Sequence, residues 1–399
     1  MAYNQKDPYG ALNFPVYDSA AFEFDDSEAI EDVFCGKKAG FTYTRAGNPT
    51  VDFFERKLKS ISKAKYAIAF ASGMAAISNT VLTICTSGDN IVSSKYLFGH
   101  TYSLFAKSFA GFGVDVRMAD FCDLAAVEKL IDKNTTALFF ETVTNPQLEV
   151  ADIAVLRELA DKYGILLIVD TTMTPSYLSD GEALGFDIEI VSTTKFFSGG
   201  ATSVGGAILD YGSYEWGKNP ALKEWAHKFG SGAFFNRLKK EIFRNFGAAM
   251  SPHNAYLQSL GLETMALRAD KACINALLLA KWLKNNDAIK SVNYPGLDGN
   301  PFYKLASVQF RYPGSVLTFD LGSKEACYAF MDALKIARRS TNLCDNKTLV
   351  IHPHSTIYSE YSAEQKADMN ISAGMLRISV GIEDFEDLAD DFAQALGCI

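Results

Sequence analysis

The sequence is poor in several features that would assign a protein to a class at once. It has five histidines, and the one close pair, His352 and His354, lacks a third clustered ligand, so no metal site is expected. The seven cysteines are scattered and include no C-x-x-C pair, which is typical of reduced thiols in a cytoplasmic protein. No block of Lys and Arg accompanies the net charge of −9, and no apolar run is long enough to span a membrane. Neither nucleic acid nor a membrane is therefore an expected partner.

What remains is the composition of an ordinary globular protein. Hydrophobic residues make up 48% and charged residues 21% of the 399 positions, and this length allows a full core and two domains. Between about residues 65 and 210, short apolar runs alternate with segments of helical periodicity, which predicts a mostly parallel, doubly wound α/β sheet. The predicted strands are residues 65–70, 90–93, 114–118, 136–141, 165–170, 188–192 and 203–209, and the predicted helices are residues 73–84, 124–133 and 153–163.

The C-terminal part predicts a smaller α+β unit. A long helical stretch at residues 251–286, interrupted near Gly261, leads into predicted strands at residues 315–321, 349–352 and 376–380 and a closing amphipathic helix at residues 383–396. The first 45 residues have no sustained period and are rich in Phe, Tyr and Pro, so we expect them to lie against a partner subunit. The expected division is an arm at residues 1–48, a large α/β domain at residues 49–246 and a C-terminal α+β domain at residues 247–399.

Two polar residues end two of the predicted strands. Asp170 follows the apolar run ILLIV, and Lys195 follows IEIVSTT. Open α/β sheets bind ligands at the carboxyl edge of their strands. A lysine at that edge can form a Schiff base with an aldehyde cofactor, and a carboxylate can keep the ring nitrogen of that cofactor protonated. Taken alone, Asp170 and Lys195 would fit a surface salt bridge better, so the interpretation depends on the residues around them.

A candidate phosphate site accompanies this pair. Ser72, Gly73 and Met74 lie in FASGMAA, at a predicted junction between a strand and a helix. Small residues at such a junction let backbone N–H groups and the helix N-terminus approach a phosphate. Ser192 and Thr194 can add hydroxyl donors to the same phosphate. A phosphate site, a lysine and a partner for a ring nitrogen are what pyridoxal 5′-phosphate (PLP) requires.

In combination, these motifs resemble the cystathionine γ-synthase family, which are the Cys/Met-metabolism PLP enzymes of the aspartate-aminotransferase fold (PLP fold type I). The resemblance runs from about residue 43 to the C-terminus. It implies that Tyr43 and Arg45, in YTRAGNPT, reach into the neighbouring subunit and bind the cofactor phosphate. It also implies that Asn145, in ETVTNP, contacts the ring oxygen of the cofactor and the substrate carboxylate, and that Arg377, in GMLRISVG, binds that carboxylate in a bidentate fork.

Other positions of the family pattern are kept, loosely matched or changed. The family motif Asp-Asn-Thr reads Asp-Thr-Thr in this sequence, and Thr172 keeps the hydroxyl of its last position. Asn342 lies where the family contacts substrate. The usual Gly-Gly-His-Ser after the lysine reads Ser-Gly-Gly-Ala, so that Gly200 replaces a histidine, and no physical consequence of this change is evident. Residues 243–252, 261–268 and 341–345 look most like the O-acetylhomoserine sulfhydrylases, and the methionine γ-lyases share much of the same pattern.

The segment Leu-Phe-Gly-His-Thr departs from the family in a way that affects chemistry. Family members usually have a tyrosine where Phe98 stands, and its hydroxyl is thought to protonate the leaving γ-group. Phe98 can stack on the cofactor but cannot donate a proton. His100 replaces the cysteine associated with methionine γ-lyases, and either it or Tyr102 could supply the proton, or His100 could merely cap the loop. Loss of the phenol favours a substrate with a weakly basic leaving group, such as an acetyl ester, over a thioether.

The resemblance thus implies a PLP enzyme that acts at the γ-carbon of a homoserine-type amino acid. The expected reaction is replacement of the acetyl ester of O-acetyl-L-homoserine by sulfide or a thiol. The expected catalytic residues are Lys195, Asp170, Phe98 and His100. The expected assembly is a homotetramer built as a dimer of dimers. The alternative is elimination by a methionine or homocysteine γ-lyase, giving 2-oxobutanoate, ammonia and a thiol. A remote alternative is a non-catalytic phosphate-binding α/β protein. The leaving group and the nucleophile stay open at this point.

Overall fold

A computed structural model describes residue 7 and residues 9–399, and two β-sheets organise this part of the chain. The larger sheet has seven strands in the order β1-β7-β6-β5-β4-β2-β3. Its strands are β1 (Tyr66–Phe70), β2 (Asn90–Ser94), β3 (Asp115–Ala119), β4 (Thr135–Glu141), β5 (Leu166–Asp170), β6 (Ile188–Val191) and β7 (Gly206–Asp210). The smaller sheet has the order β10-β11-β12-β9-β8. Its strands are β8 (Ser291–Asn293), β9 (Val316–Asp320), β10 (Arg338–Arg339), β11 (Leu349–Ile351) and β12 (Met375–Ser379).

Helices connect and cover these sheets. The α-helices are α1 (Ser27–Phe34), α2 (Pro49–Ser62), α3 (Gly73–Ile84), α4 (Gly99–Ser103), α5 (Leu124–Lys129), α6 (Ile153–Tyr163), α7 (Lys223–Phe229), α8 (Ala233–Arg237), α9 (Arg244–Phe246), α10 (Pro252–Glu263), α11 (Met265–Lys284), α12 (Tyr303–Gln309), α13 (Lys324–Ala333), α14 (Ala363–Asp368) and α15 (Phe385–Leu396). Short 3-10 helices are Phe109–Phe112, Phe196–Ser198, Trp216–Lys218, Pro220–Leu222, Gly230–Gly232 and Pro353–Ser355, and π-helical turns are Leu104–Ser108 and Leu238–Phe243.

The larger sheet is mostly parallel, as predicted. Strands β2 to β6 pair in parallel, and β7 runs antiparallel between β6 and β1. Helices pack on both faces of the sheet, so its central strands are buried apart from Asp170 at the end of β5; every residue of β4 is buried. Continuous apolar runs are typical of strands covered on both sides. This explains why the sequence predicts these strands well.

The predicted interruption in the C-terminal helical stretch is present. Residues 251–286 are interrupted at Thr264, between α10 and α11, close to Gly261, which itself lies inside α10. Gly261 has a different purpose, since a Cβ there would lie 2.2 Å from the carbonyl oxygen of Phe197. The glycine therefore lets α10 approach the segment that follows Lys195.

A single helix contributes to the cores of both sheets. Met265, Ala269 and Cys273, in the first half of α11, pack in the core beneath the larger sheet. Leu279 and Leu283, in its second half, pack in the core of the smaller sheet. The 20-residue helix thus connects the two halves of the structure through buried side chains.

Other differences from the prediction are small. The helix predicted at residues 124–133 ends at Lys129, and the two-residue strand β10 and three-residue strand β8 show no period that the sequence could reveal. All seven cysteines are unpaired. Within the described residues, no helix combines the length and apolarity needed to cross a membrane.

Substitution of Gly206 is predicted to lower the stability of the fold. It lies opposite Phe70 at the start of β7, and a Cβ on it would lie 2.3 Å from the carbonyl oxygen of Ser72. Because backbone must move to relieve that contact, Gly206→Ala should lower the free energy of unfolding by at least about 2 kcal/mol in urea denaturation. Gly217→Ala, where a Cβ meets nothing within 4 Å, is the control and should change it by less than about 0.5 kcal/mol. Equal effects of the two changes would contradict this account of Gly206.

Candidate active site

A cavity of about 300 Å³ lies at the carboxyl edge of the larger sheet, beside the N-terminus of α3. Its volume is at the lower end of the range for small-molecule pockets. Strands β4, β5 and β6 end at this edge because they run parallel. The predicted site residues that line the cavity are Ser72, Gly73, Met74, Phe98, His100, Asn145, Asp170, Thr172, Ser192, Thr194 and Lys195.

Lys195 projects a partly buried amine into this cavity. Its Nζ donates a hydrogen bond to Oδ1 of Asn342, 2.6 Å away. Burial lowers the pKa of Lys195, the neighbouring Cys344 thiol raises it in part, and the Arg377 guanidinium lowers it further. A lowered pKa increases the fraction of neutral amine, which is the nucleophilic form. The site therefore offers an amine that can attack an aldehyde.

Asp170 ends β5 on the same side of the sheet. Its Oδ1 accepts the backbone N–H of Thr172 at 2.9 Å, and the Thr172 hydroxyl in turn accepts the backbone N–H of Ser192 at 2.9 Å. Burial raises the pKa of Asp170, while its hydrogen bonds to Thr172 lower it. A buried carboxyl of this kind is suited to a cationic N–H partner, since a paired positive charge offsets the cost of burying it.

The N-terminus of α3 provides the anion site. Ser72 is its N-cap and accepts the backbone N–H of Ala75 at 3.1 Å. A Cβ on Gly73 would lie 2.9 Å from Cβ of Ser192, so only glycine fits between helix and sheet. Helix N-termini of this kind bind phosphate. The Thr194 hydroxyl, which we expected to face a phosphate, lines the cavity but donates to the carbonyl oxygen of Gly205 at 3.1 Å.

Arg377 is a buried cation beside the cavity. Its guanidinium donates to Oδ1 of Asn145 at 3.2 Å and to the carbonyl oxygens of Thr341 and Asn342 at 3.1 and 3.0 Å. Its Nε is buried without a hydrogen-bond partner, no carboxylate of the described residues forms an ion pair with it, and burial lowers its pKa to about 10. A buried charge without a counter-ion is costly. The arrangement therefore suits an anionic ligand.

Phe98 and His100 form an aromatic part of the cavity wall. Their rings lie 5.1 Å apart, edge to face, and both residues line the cavity. Both also line an adjoining cavity of about 560 Å³, which includes Asn342, Tyr102 and Tyr361. Tyr102 lines only this adjoining cavity. Lys195 lines both cavities, so His100 shares both of them with Lys195, whereas Tyr102 shares only the adjoining one.

Tyr43 and Arg45 are not brought into the site by their own chain. Tyr43 is 48% exposed, and neither residue lines the two cavities. The Arg45 guanidinium donates to the carbonyl oxygen of Arg244 at 2.7 Å. These two residues are thus available at the surface near α9.

The sequence analysis missed three polar residues that line the cavity, namely Thr101, Glu141 and Thr341. Glu141 ends β4, is buried and lines the cavity next to Asp170. The available signal was its position, because Glu141 and Asp170 each end a predicted strand and the two strands are neighbours. A larger cleft of about 670 Å³ elsewhere is lined by Lys284, Lys290 and Asp298, but by none of the predicted site residues. Volume alone would have selected the wrong cavity.

The residues around the smaller cavity fit PLP. An anion site at a helix N-terminus, a partly buried lysine and a strand-end carboxyl are present together, and glycine at position 73 leaves the helix start open to a phosphate. The fold and the site together define a PLP enzyme.

Comparison with known proteins gives the family. The chain belongs to the Cys/Met metabolism PLP-dependent enzymes, whose sequence profile matches residues 1–397. This confirms the family resemblance, the fold class and the cofactor. It also sets aside the alternative of a non-catalytic phosphate-binding protein, since the matched family is a family of enzymes.

Relatives with two different activities are similar to this chain. An L-methionine gamma-lyase from Pseudomonas putida is 35% identical, with 99% of this chain and 94% of that protein covered. An O-acetyl-L-homoserine sulfhydrylase from Corynebacterium glutamicum is 33% identical, with 98% of this chain and 93% of that protein covered. The identities to these two relatives are too close to separate the two activities.

Solved structures are similar over most of the chain. The O-acetylhomoserine sulfhydrylase of Wolinella succinogenes is 50% identical, with a TM-score of 0.81 and coverage of 88% of this chain and 99% of that one. A putative O-acetylhomoserine (thiol)-lyase from Campylobacter jejuni is 31% identical, with a TM-score of 0.95 and coverage of 98% and 97%. The latter structure contains N′-pyridoxyl-lysine-5′-monophosphate, which is the cofactor attached to a lysine.

Proposed function

We propose that this protein is an O-acetylhomoserine sulfhydrylase, which replaces the acetyl ester of O-acetyl-L-homoserine with sulfide or a thiol and forms homocysteine or a relative of it. The observation that carries the proposal is Phe98, an aromatic wall of the cavity that has no hydroxyl. Acetate is a weak base and can leave without a proton, whereas a thiolate leaving from methionine benefits from a general acid. Support also comes from the 50% identity to the sulfhydrylase of Wolinella succinogenes.

Lys195 and Asp170 are the proposed reactive pair. Lys195 would hold the cofactor through Nζ and, once the amino group of the substrate has replaced it there, move protons between Cα of the substrate and C4′ of the cofactor. Asp170 would keep the ring nitrogen protonated, as supported by its burial and its place at the strand edge. When bound, the cofactor supplies an electron sink for the electrons of the broken Cα–H bond.

The remaining site residues would bind and orient. Ser72, Gly73 and Met74 at the start of α3, with Ser192 and Thr194, would hold the phosphate, and Thr172 would support Asp170. Arg377 would bind the α-carboxylate of the substrate, with Asn145 and Asn342 beside it. Its buried guanidinium, unpaired with any carboxylate of the described residues, supports this assignment.

Methionine γ-lyase activity is the second candidate, and His100 is the observation that favours it. Its imidazole lines the cavity beside Phe98, and an imidazole is a common general acid that could protonate a leaving thiolate. If His100 does so, the missing phenol no longer excludes a thioether substrate.

Substrate comparison tests the proposed reaction. Wild-type enzyme should turn over O-acetylhomoserine with sulfide far faster than methionine, measured as homocysteine against 2-oxobutanoate. Phe98→Tyr should raise methionine turnover, because a well-placed general acid contributes ~10²–10⁴-fold. His100→Ala should then have little effect on the ester. Equal wild-type turnover of methionine and the ester, with methionine turnover lost in His100→Ala, would instead assign the protein as a lyase.

Lys195→Ala tests the cofactor assignment. The variant should lose the visible absorption band of the lysine-bound cofactor together with turnover, because no other amine of the described residues lines the cavity. Lys57→Ala is the matched control, since Lys57 is a buried lysine that pairs with Glu263 outside the site at 2.9 Å. The Lys57→Ala variant should keep the visible absorption band of the lysine-bound cofactor. A visible band that survives in Lys195→Ala would refute the role of Lys195.

We further propose that the active unit is a dimer, and the full assembly a homotetramer built as a dimer of dimers. Tyr43 and Arg45 would complete the phosphate site of the neighbouring subunit, which is consistent with their position outside their own cavity. Exposed apolar side chains in the N-terminal part support a buried contact there, among them Leu12 and, in α1, Phe34, which is 73% exposed.

Subunit mixing tests the shared site. Arg45→Ala and Lys195→Ala proteins are each expected to be nearly inactive. After subunit exchange, a mixed dimer contains one site with both Arg45 and Lys195 intact, so activity should reappear. Exchange is followed independently with differently tagged subunits by native mass spectrometry. Absence of activity in a preparation shown to contain mixed dimers would mean that each site is built from one chain.

The proposed partners are small molecules, namely an amino-acid substrate and sulfide or a thiol. We also propose a cytoplasmic location. The seven unpaired cysteines, four of them buried, are consistent with a reducing compartment.

A further inference from the structure

Two carboxyl groups end neighbouring strands at the active site, and the proposed reaction uses only one of them. Glu141 of β4 and Asp170 of β5 are paired in parallel register. Residues paired in this way point to the same face of a sheet, and both side chains line the cavity. Asp170 is the proposed partner of the ring nitrogen. A second buried acid beside it carries an energetic cost that needs another explanation.

The contacts of Glu141 provide that explanation. Its Oε1 accepts the backbone N–H of Phe98 at 2.6 Å, and its carboxyl also accepts the backbone N–H of Asn145. Phe98 precedes the five-residue helix α4 as its N-cap, so its N–H has no acceptor within that helix. Glu141 is thus the acceptor that fixes the loop on which Phe98 is presented to the cavity.

We propose that Glu141 is a positioning residue that sets the place of the Phe98 ring against the cofactor by accepting the backbone N–H of Phe98. The inference rests on the proposed function, in which Phe98 stacks on PLP. Since Phe98 has no hydroxyl, ring position is what the side chain contributes to cofactor binding. The contact with Asn145 connects the same carboxyl to the loop beside Arg377.

The protonation state of the Glu141 carboxyl decides which substitution should preserve its role. Burial and the neighbouring Asp170 raise the pKa of Glu141 well above its ordinary value, against the hydrogen bonds from Phe98 and Asn145. A neutral carboxyl accepts through its carbonyl oxygen, and a glutamine amide has the same shape and the same acceptor. Glutamine should therefore retain the function, while methionine, which fills similar space without an oxygen acceptor, should not.

The test compares Glu141→Met with Glu141→Gln. The methionine variant should bind PLP roughly tenfold more weakly, as expected for one lost buried hydrogen bond, and should show a changed visible circular-dichroism band of the bound cofactor. The glutamine variant should stay within about twofold of wild type in PLP affinity. Glu189→Gln is the control, because Glu189 is a buried acid on β6 that hydrogen-bonds Thr171, Ser176 and Tyr211 outside the cavity. It should leave the cofactor band unchanged.

A double-mutant cycle shows whether Glu141 acts through Phe98. In a Phe98→Ala background, Glu141→Met should lose most of its effect on PLP affinity, since no ring remains to be positioned. An undiminished effect, or a methionine variant with wild-type affinity and spectrum, would overturn the proposal. If the methionine variant does not fold, amide exchange of the wild-type holoenzyme decides, because fast exchange at the Phe98 N–H excludes the bond. Wild-type protein whose cofactor is not held at Lys195 would instead refute the proposed function itself.

Discussion

Parallel pairing of β4, β5 and β6 is the interaction on which the site depends. The register aligns Glu141 with Asp170 and Asp170 with Ile190, so that the chain leaves the sheet at one edge and reaches Lys195 within one turn beyond β6. A shift of one residue in either pair would turn the strand-end carboxyls to the opposite face. The apolar core on both faces fixes that register, because every residue of β4 is buried. Catalytic geometry is therefore a consequence of core packing.

The sequence predicted the parts of the structure that repeat or are continuous. Helices α3 and α6 were predicted to the residue, and Asp170 and Lys195 were recognised from the apolar runs that precede them. Predictions were weaker where contacts distant in the chain decide. The hydroxyl of Thr194 bonds Gly205, and Glu141 acquires its partners only when Phe98, 43 positions away, returns to it. Spacing along a sequence holds no information on such contacts.

The site contains two basic side chains, Lys195 and Arg377, on which burial has different consequences. Lys195 is partly buried near Arg377, and burial lowers the pKa values of both side chains below their ordinary ranges. The lysine can respond by losing its proton, whereas an arginine keeps its charge at neutral pH even with a pKa of about 10. In the proposed reaction, the lysine would thus act as the nucleophile and the arginine would remain an anchor for an anion. Burial lowers the pKa of both side chains, and their different basicities lead to two different proposed functions.

Helix α11 has a consequence for how the molecule unfolds. Its buried side chains belong to the core of the larger sheet at one end and of the smaller sheet at the other, over 20 residues that span about 30 Å. Unfolding of either core exposes apolar side chains of α11 to water, which raises the free energy of any state in which only one sheet is intact. The two halves should therefore unfold cooperatively, and a partly unfolded state with one intact sheet is disfavoured.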